Sequence, residues 1–245
     1  MNGTPLALAL DTSHERGSVA VSRGRKVLSE ILFDASDTHS ATLMPAVDAC
    51  LRFAKASLAD VELIAVVSGP GSFTGLRIGL ATAKAFAAVR HASVVPVSSL
   101  ETLAAAFPFA GRPVFPLIDA RRGEVYGAIY RTDDGVSREI APLFSAKPAT
   151  LGDFLHRFSV TGPLILCGTG ALRHREFLEP LMPNGSAFAD ARWAVPSASL
   201  CSLLALERKP LTYEELFALE PLYIRPPDAR LPDTTRVRMR GGGER

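Results

Sequence analysis

The sequence predicts an α/β protein of two lobes, each laid out in the order βββαβα. An apolar run ending in aspartate occurs twice, Leu6-Ala7-Leu8-Ala9-Leu10 before Asp11 and Val114-Phe115-Pro116-Leu117-Ile118 before Asp119. Each is followed by strand-like runs, a helical pattern and a further strand and helix. Between them, Ser68-Gly69-Pro70-Gly71-Ser72-Phe73-Thr74-Gly75-Leu76-Arg77 joins a strand to a helix through a Gly/Pro turn.

In order, the first half reads as strands at 7–10, 17–21 and 26–32, a helix at 40–55, a strand at 63–67 and a helix at 74–89. A short strand at 94–97 and a helix at 100–107 complete it. Past Pro108 and Gly111-Arg112-Pro113 the order restarts with a strand at 114–118. A hairpin, 124–130 and 136–143, turns around Asp133-Asp134-Gly135. A helix at 150–158, a strand at 164–167 ending in Gly168-Thr169-Gly170 and a helix at 197–207 follow. The duplication rests on element order, because the two halves share no close sequence repeat. The expected units are residues 1–110 as an N-terminal lobe, 111–225 as a C-terminal lobe and 226–245 as a flexible basic tail.

At 245 residues, 47% hydrophobic and 21% charged, the chain has material for a substantial core. No stretch approaches the roughly 18 apolar residues that span a bilayer. The first apolar run follows no basic segment and meets Asp11 at once, which reads as a strand and not a signal peptide. Cys50, Cys167 and Cys201 are odd in number and in no C-x-x-C pair. That pattern suits a reduced, cytoplasmic protein and argues against a zinc site or disulfide framework. Of the net charge of +2, the segment 225–245 holds +3, six Arg against Asp228, Asp233 and Glu244, so the body stands at −1. A neutral body has little grip on nucleic acid by itself.

The glycine loop is not a Walker A loop, since Leu76-Arg77 stands where a Lys-Ser/Thr pair is needed, and its glycines miss the dinucleotide spacing. Nor does it contain a Gly-x-Ser-x-Gly elbow. Ser72 or Thr74 is placed to cap the following helix. Free amides there can hold an anion, yet such a loop is more often a structural tight turn than a phosphate site. His14, His91, His156 and His174 have no mutual spacing of a catalytic set, no H-E-x-x-H occurs, and Glu101 and Glu124 read as structural. The helix from Ser40 sets Leu43, Met44, Val47, Leu51 and Ala54 on one stripe, a normal core-facing pattern. The helix 74–89 is apolar nearly all round, with Arg77 and Lys84 its only charges. It is either a central helix buried on several sides or one that packs on this chain with one face and on a partner with the other.

Two βββαβα lobes facing a cleft resemble the actin, sugar-kinase and Hsp70 (ASKHA) architecture. In its catalytic members, turns after the first strands carry phosphate and Mg²⁺, and second-lobe glycines receive adenosine. By that resemblance Asp11, Thr12 and Ser13 form a degenerate nucleotide site. Asp119-Ala120-Arg121-Arg122-Gly123 carries two bulky Arg side chains in the second turn, and Gly168-Thr169-Gly170 is a reduced adenosine site.

From Leu6 to Arg225 the chain also resembles the TsaB (YeaZ) family. The resemblance rests on Ala9-Leu10-Asp11-Thr12-Ser13, Thr38-His39-Ser40-Ala41-Thr42-Leu43-Met44-Pro45, the Ser68 to Arg77 loop, Ile118-Asp119-Ala120-Arg121-Arg122-Gly123-Glu124-Val125-Tyr126 and Pro221-Leu222-Tyr223-Ile224-Arg225. It implies a non-catalytic subunit that binds and activates a TsaD-type threonylcarbamoyl transferase, which modifies tRNA next to the anticodon. A TsaE-type ATPase, tRNA reached through the complex, ATP or ADP at the subunit junction and a homodimer when alone are also implied. The related catalytic subunit carries a His-x-x-x-His metal pair where this chain has Ser99 and Leu103, so metal chemistry is expected to be absent. His39 precedes a different helix and reads as a helix-start or contact residue. The interface implied is the two helices, through Leu43, Met44, Val47, Leu51, Phe73, Leu76, Arg77, Gly79, Leu80, Ala83 and Lys84. On that reading Gly79→Arg or Leu80→Glu breaks partner binding without unfolding. The alternative function is an ATP-dependent phosphotransferase of the sugar or acetate kinase type.

Overall fold

The computed structural model describes residues 4–35, 39–222 and 224, with backbone alone for His39 and Ser40. The tail expected at 226–245 lies outside the described residues. The first half contains β1 (Leu6–Asp11), β2 (Arg16–Arg23), β3 (Lys26–Asp34), α1 (His39–Phe53), β4 (Leu63–Gly69), α2 (Phe73–Arg90), β5 (Ser93–Ser98) and α3 (Ser99–Ala104). The second contains β6 (Val114–Asp119), β7 (Val125–Arg131), β8 (Arg138–Ala146), α4 (Leu151–Arg157), β9 (Ile165–Cys167), α5 (Thr169–Arg173), α6 (Arg175–Leu178), β10 (Ala187–Phe188), α7 (Ala198–Ala205) and α8 (Tyr213–Ala218).

The strands form two five-stranded sheets of one topology, β3-β2-β1-β4-β5 and β8-β7-β6-β9-β10. In each, the first strand pairs antiparallel with the second and parallel with the fourth. The duplicated α/β fold of the ASKHA type is therefore present, down to strand order and direction. The extra elements α5, α6, α8 and β10 are six residues long or shorter, too brief for a periodic pattern to mark them.

Alternation along β1 sets the layering. Leu6, Leu8 and Leu10 face Val19, Val21, Ile64 and Val66 and the apolar sides of α1 and α2. Ala7 and Ala9 face the opposite way, with Ala20 and Ala65, onto Ala198, Cys201 and Ala205 of α7. Small side chains on that face let α7 lie close to the sheet. Polar groups fasten it there: Ser18 Oγ accepts from Ala198 N at 2.9 Å, and Ser22 Oγ meets Ser202 Oγ at 2.5 Å. The Glu30 carboxylate takes the Ser197 hydroxyl at 2.7 Å and the Ser199 N–H and hydroxyl at 3.0 and 2.8 Å, capping α7 from β3.

Reciprocally, Leu100, Leu103 and Ala104 of α3 pack on Val114, Ile118, Ala128 and Tyr130 of the second sheet. Each half thus lends a helix to the other, and α3 and α7 touch between the sheets. Lobes cut along the chain at 1–110 and 111–225 consequently differ from the packing, because residues 198–219 return to the first sheet. Sequence order does not reveal this, since α7 is apolar and serves either sheet by pattern alone.

Candidate functional site

Asp119, which ends β6, lines a cleft of about 1010 Å³ between the lobes, whereas Asp11, which ends β1, is buried. Asp11 makes an Asx turn, its Oδ1 accepting from the Ser13 N–H at 2.9 Å and the Ser13 hydroxyl at 2.6 Å. Ser13 Oγ also meets His14 Nδ1 at 2.8 Å, so Asp11, Ser13 and His14 form one buried polar chain. Burial pushes the Asp11 carboxyl up to about 6, against the two Ser13 bonds, and its Oδ2 has no hydrogen-bond partner. Burial, then the Arg16 charge, pulls His14 down to about 4. This linkage was not anticipated from isolated histidine spacings. The contiguous Asp11-Thr12-Ser13-His14 at a strand end was its signal.

The glycine loop closes over this turn. The Ser72 N–H donates to the Ser13 carbonyl at 2.7 Å, and the Thr12 hydroxyl donates to the Gly75 carbonyl at 2.7 Å. A Cβ on Gly71 would collide with the Ser13 carbonyl, and one on Gly79 with Thr12 Oγ1. Ser72 is the residue that caps α2, accepting from Gly75 N at 3.3 Å. Asp11 and Thr12 consequently have almost no exposed surface, and of the expected nucleotide set only Ser13 lines the cleft. The glycines of Gly168-Thr169-Gly170 likewise press on the β6 backbone at Leu117 and Ile118.

The second turn is open. Asp119 Oδ1 accepts from Arg121 N at 2.9 Å, and Oδ2 binds Arg173 Nη1 at 2.6 Å. Arg121, Arg122 and Gly123 follow in left-handed conformation, at φ +61°, +52° and +74°. Asp119, Arg121, Arg122 and Arg173, with Glu15 of the first lobe, enclose a cavity of about 310 Å³ at the edge of the cleft. Of these, Glu15 and Arg173 escaped sequence reasoning, because only the fold brings them beside Asp119.

The predicted interface needs correction. Leu43, Val47, Leu51, Leu76, Gly79, Leu80 and Ala83 belong to the chain's own core, where the first sheet covers them. Lys84 is half-buried, its Nζ donating to the Phe217 carbonyl at 3.0 Å. Met44, Phe73 and Arg77 alone of that set are exposed, with Arg77 stacked 3.9 Å over the Phe73 ring. The outward face of α2 carries Thr74, Arg77, Ala81, Ala85, Ala88 and Val89. The residues that the resemblance assigned to a partner lie on the core stripes, as the core-facing spacing of α1 indicated, because a helix on a sheet turns its apolar stripe inward.

At the place of the expected metal pair, the Ser99 hydroxyl donates to the Pro70 carbonyl at 2.6 Å and Leu103 is buried. Glu101 pairs with Arg208, and Glu124 accepts from the Ser145 hydroxyl at 3.2 Å. Burial pushes the thiols of Cys167 and Cys201 up, which keeps them protonated. The helix α1 starts at His39, whose side chain lies outside the described residues. Among the described residues no helix is long and apolar enough to cross a membrane.

A family model described as "TsaD: tRNA N6-adenosine threonylcarbamoyltransferase" matches residues 33–154. The chain is 31% identical over 219 residues to the tRNA threonylcarbamoyladenosine biosynthesis protein TsaB of Bacillus subtilis, covering 89% of this chain and 93% of that one. It is 30% identical over 226 residues to the Escherichia coli protein of the same name, covering 89% and 94%. The solved structure of YeaZ from Pseudomonas aeruginosa superposes with a TM-score of 0.73 at 28% identity, over 90% of this chain and 100% of that one. Sequence along nearly the whole length and fold agree, and the chain belongs to the TsaB (YeaZ) family.

Proposed function

We propose that this chain is the non-catalytic subunit that binds and activates a TsaD-type transferase in making threonylcarbamoyladenosine on tRNA. The observation that carries the reading is the outward face of α2. Ala81, Ala85 and Ala88 form an exposed row of small side chains on an 18-residue helix, flanked along it by Arg77 and Val89. Such a surface lets a second helix approach closely and bury apolar area with little side-chain entropy lost. Sealing of Asp11 and Thr12 under the glycine loop supports a role without phosphoryl transfer. Activation is then differential binding, in which the partner is stabilised in its competent state by this face. The assembly includes a TsaE-type ATPase and a nucleotide at the subunit junction, meets tRNA through the complex and works in the cytoplasm. Alone, the chain pairs with itself through the same face.

Light scattering of the chain alone and mixed with the transferase of the same cell tests this. The expected result is a homodimer that converts to a heterodimer. Species that remain separate overturn the proposal.

A further inference from the structure

We infer that α8 completes the partner surface that α2 begins, with Tyr213 and Phe217 as its aromatic anchors and the transferase as their occupant. The inference rests on the pairing proposed above and adds two residues that the pairing has not used. Tyr213 and Phe217 are each 82% exposed, more than any other large apolar or aromatic side chain among the described residues. They stand four residues apart, one above the other on one side of the helix.

The fold does not depend on these rings. Leu216 and Leu219 turn inward onto the core of the first sheet. At the helix start the Thr212 N–H donates to the Glu215 carboxylate at 2.7 Å, and the Glu215 N–H donates to the Thr212 hydroxyl at 3.2 Å. The Leu211 N–H donates to the Val94 carbonyl and the Leu222 N–H to the Ser68 carbonyl, each at 2.9 Å, so both ends are pinned. With the helix held by its other face, two aromatic rings left in water mark a docking surface.

Position selects the occupant. Lys84 Nζ donates to the Phe217 carbonyl at 3.0 Å, and Lys84 lies three residues after Ala81 and four before Ala88. Through it α8 borders the outward face of α2. That face alone falls short of a stable interface, which takes about 800 Å² and about 20–30 residues from each partner. Three alanines with Arg77 and Val89 do not reach it. Two buried aromatic rings add about 150–250 Å² each and supply the anchors that methyl groups lack. The exposed Glu214 and Glu220 beside the rings favour a transferase patch that is apolar and edged by Lys or Arg.

The test is titration of the full chain with the transferase, followed by fluorescence anisotropy, for the wild type, Tyr213→Ala, Phe217→Ala and the double variant. Each single substitution is expected to weaken binding about ten-fold or more. Melting temperatures are expected to stay within about 2 °C of the wild type, since exposed positions carry little of the stability. Hydrogen exchange of the wild-type chain, diluted until monomeric, reads the same surface without a substitution. Amides at 213–218 are expected to slow about ten-fold or more when the transferase binds. Exchange there that the transferase leaves unchanged overturns the proposal. Ala85→Glu separates this inference from the pairing on which it rests. If Ala85→Glu abolishes binding while the double aromatic variant binds as the wild type does, the anchors fall and the α2 face stands. If neither weakens binding, both fall. Loss of the homodimer alone, with the heterodimer intact, makes a second copy the occupant and likewise overturns the proposal.

Discussion

Asp11 and Asp119 make the same turn: each accepts, through Oδ1 at 2.9 Å, the backbone N–H of the residue two positions on. The duplicated fold thus repeats in hydrogen bonds what it repeats in strand order. The second oxygens differ. Asp11 Oδ2 is buried without a partner, while Asp119 Oδ2 holds Arg173 at the cleft edge with the side chain 16% exposed. One copy of the turn is sealed into the core and the other faces solvent.

Asp11 and His14 give opposing pH dependences. Native Asp11 keeps its proton up to about 6, against 3.8 for an ordinary aspartate, so its contribution to stability falls as pH rises from about 4 to 6. Native His14 stays neutral down to about 4 against 6.5, so its contribution rises with pH across about 4 to 6.5. The two nearly cancel in the wild type. Relative to it, Asp11→Asn should gain stability from pH 4.5 to 6.5, on the order of 2 kcal/mol. His14→Gln should lose a similar amount over the same range. Urea titrations across that window decide it, and parallel curves would rule the assignment out.

Gly79 and Leu80 are fold positions. A methyl on Gly79 must displace Thr12 Oγ1, which is tethered to the Gly75 carbonyl, so Gly79→Ala should cost about 1–3 kcal/mol. Thr12→Val leaves that carbonyl unpaired and should cost about 1–3 kcal/mol. Gly79→Arg and Leu80→Glu should lose the folded state, and with it any partner. Far-ultraviolet circular dichroism with urea midpoints measures both pairs.

Ala85→Glu and Ala81→Arg lie on the outward face of α2, where substitution should change stability by no more than about 0.5 kcal/mol. Both should abolish homodimer and heterodimer in light scattering while the melting temperature stays put. Dimers that survive in both variants would remove this face from the interface.

Glu30 caps α7 from a strand more than a hundred residues earlier. Glu30→Ala should cost about 1–2 kcal/mol, with Glu30→Gln closer to wild type. Loss of amide protection concentrated in α7 and β2, read by hydrogen exchange, is the expected signature; uniform change across the chain would contradict it.

Much of the architecture was legible in the chain. Alternation in Leu6-Ala7-Leu8-Ala9-Leu10 marks a strand buried on both faces, and the repeated apolar-run-then-Asp pattern marks the duplication. The glycine loop reads as a strand-to-helix turn because Gly and Ser have backbone roles independent of context. The site was legible less evenly. Arg121 and Arg122 were visible as bulky residues in a turn, but Glu15 and Arg173 enter only when two distant segments meet at the cleft.

By itself the sequence determined the order of strands and helices along each half, a capped helix start at Ser72 or Thr74, the family, and which helices carry apolar stripes, since these follow from local periodicity and short motifs. Tertiary structure alone decided which stripe faces inward, that α3 and α7 cross between halves, and that Asp11 is sealed while Asp119 is open. The physical reason is that periodicity specifies that a face is buried without naming what buries it. A carboxylate's chemistry likewise depends on neighbours that only packing supplies.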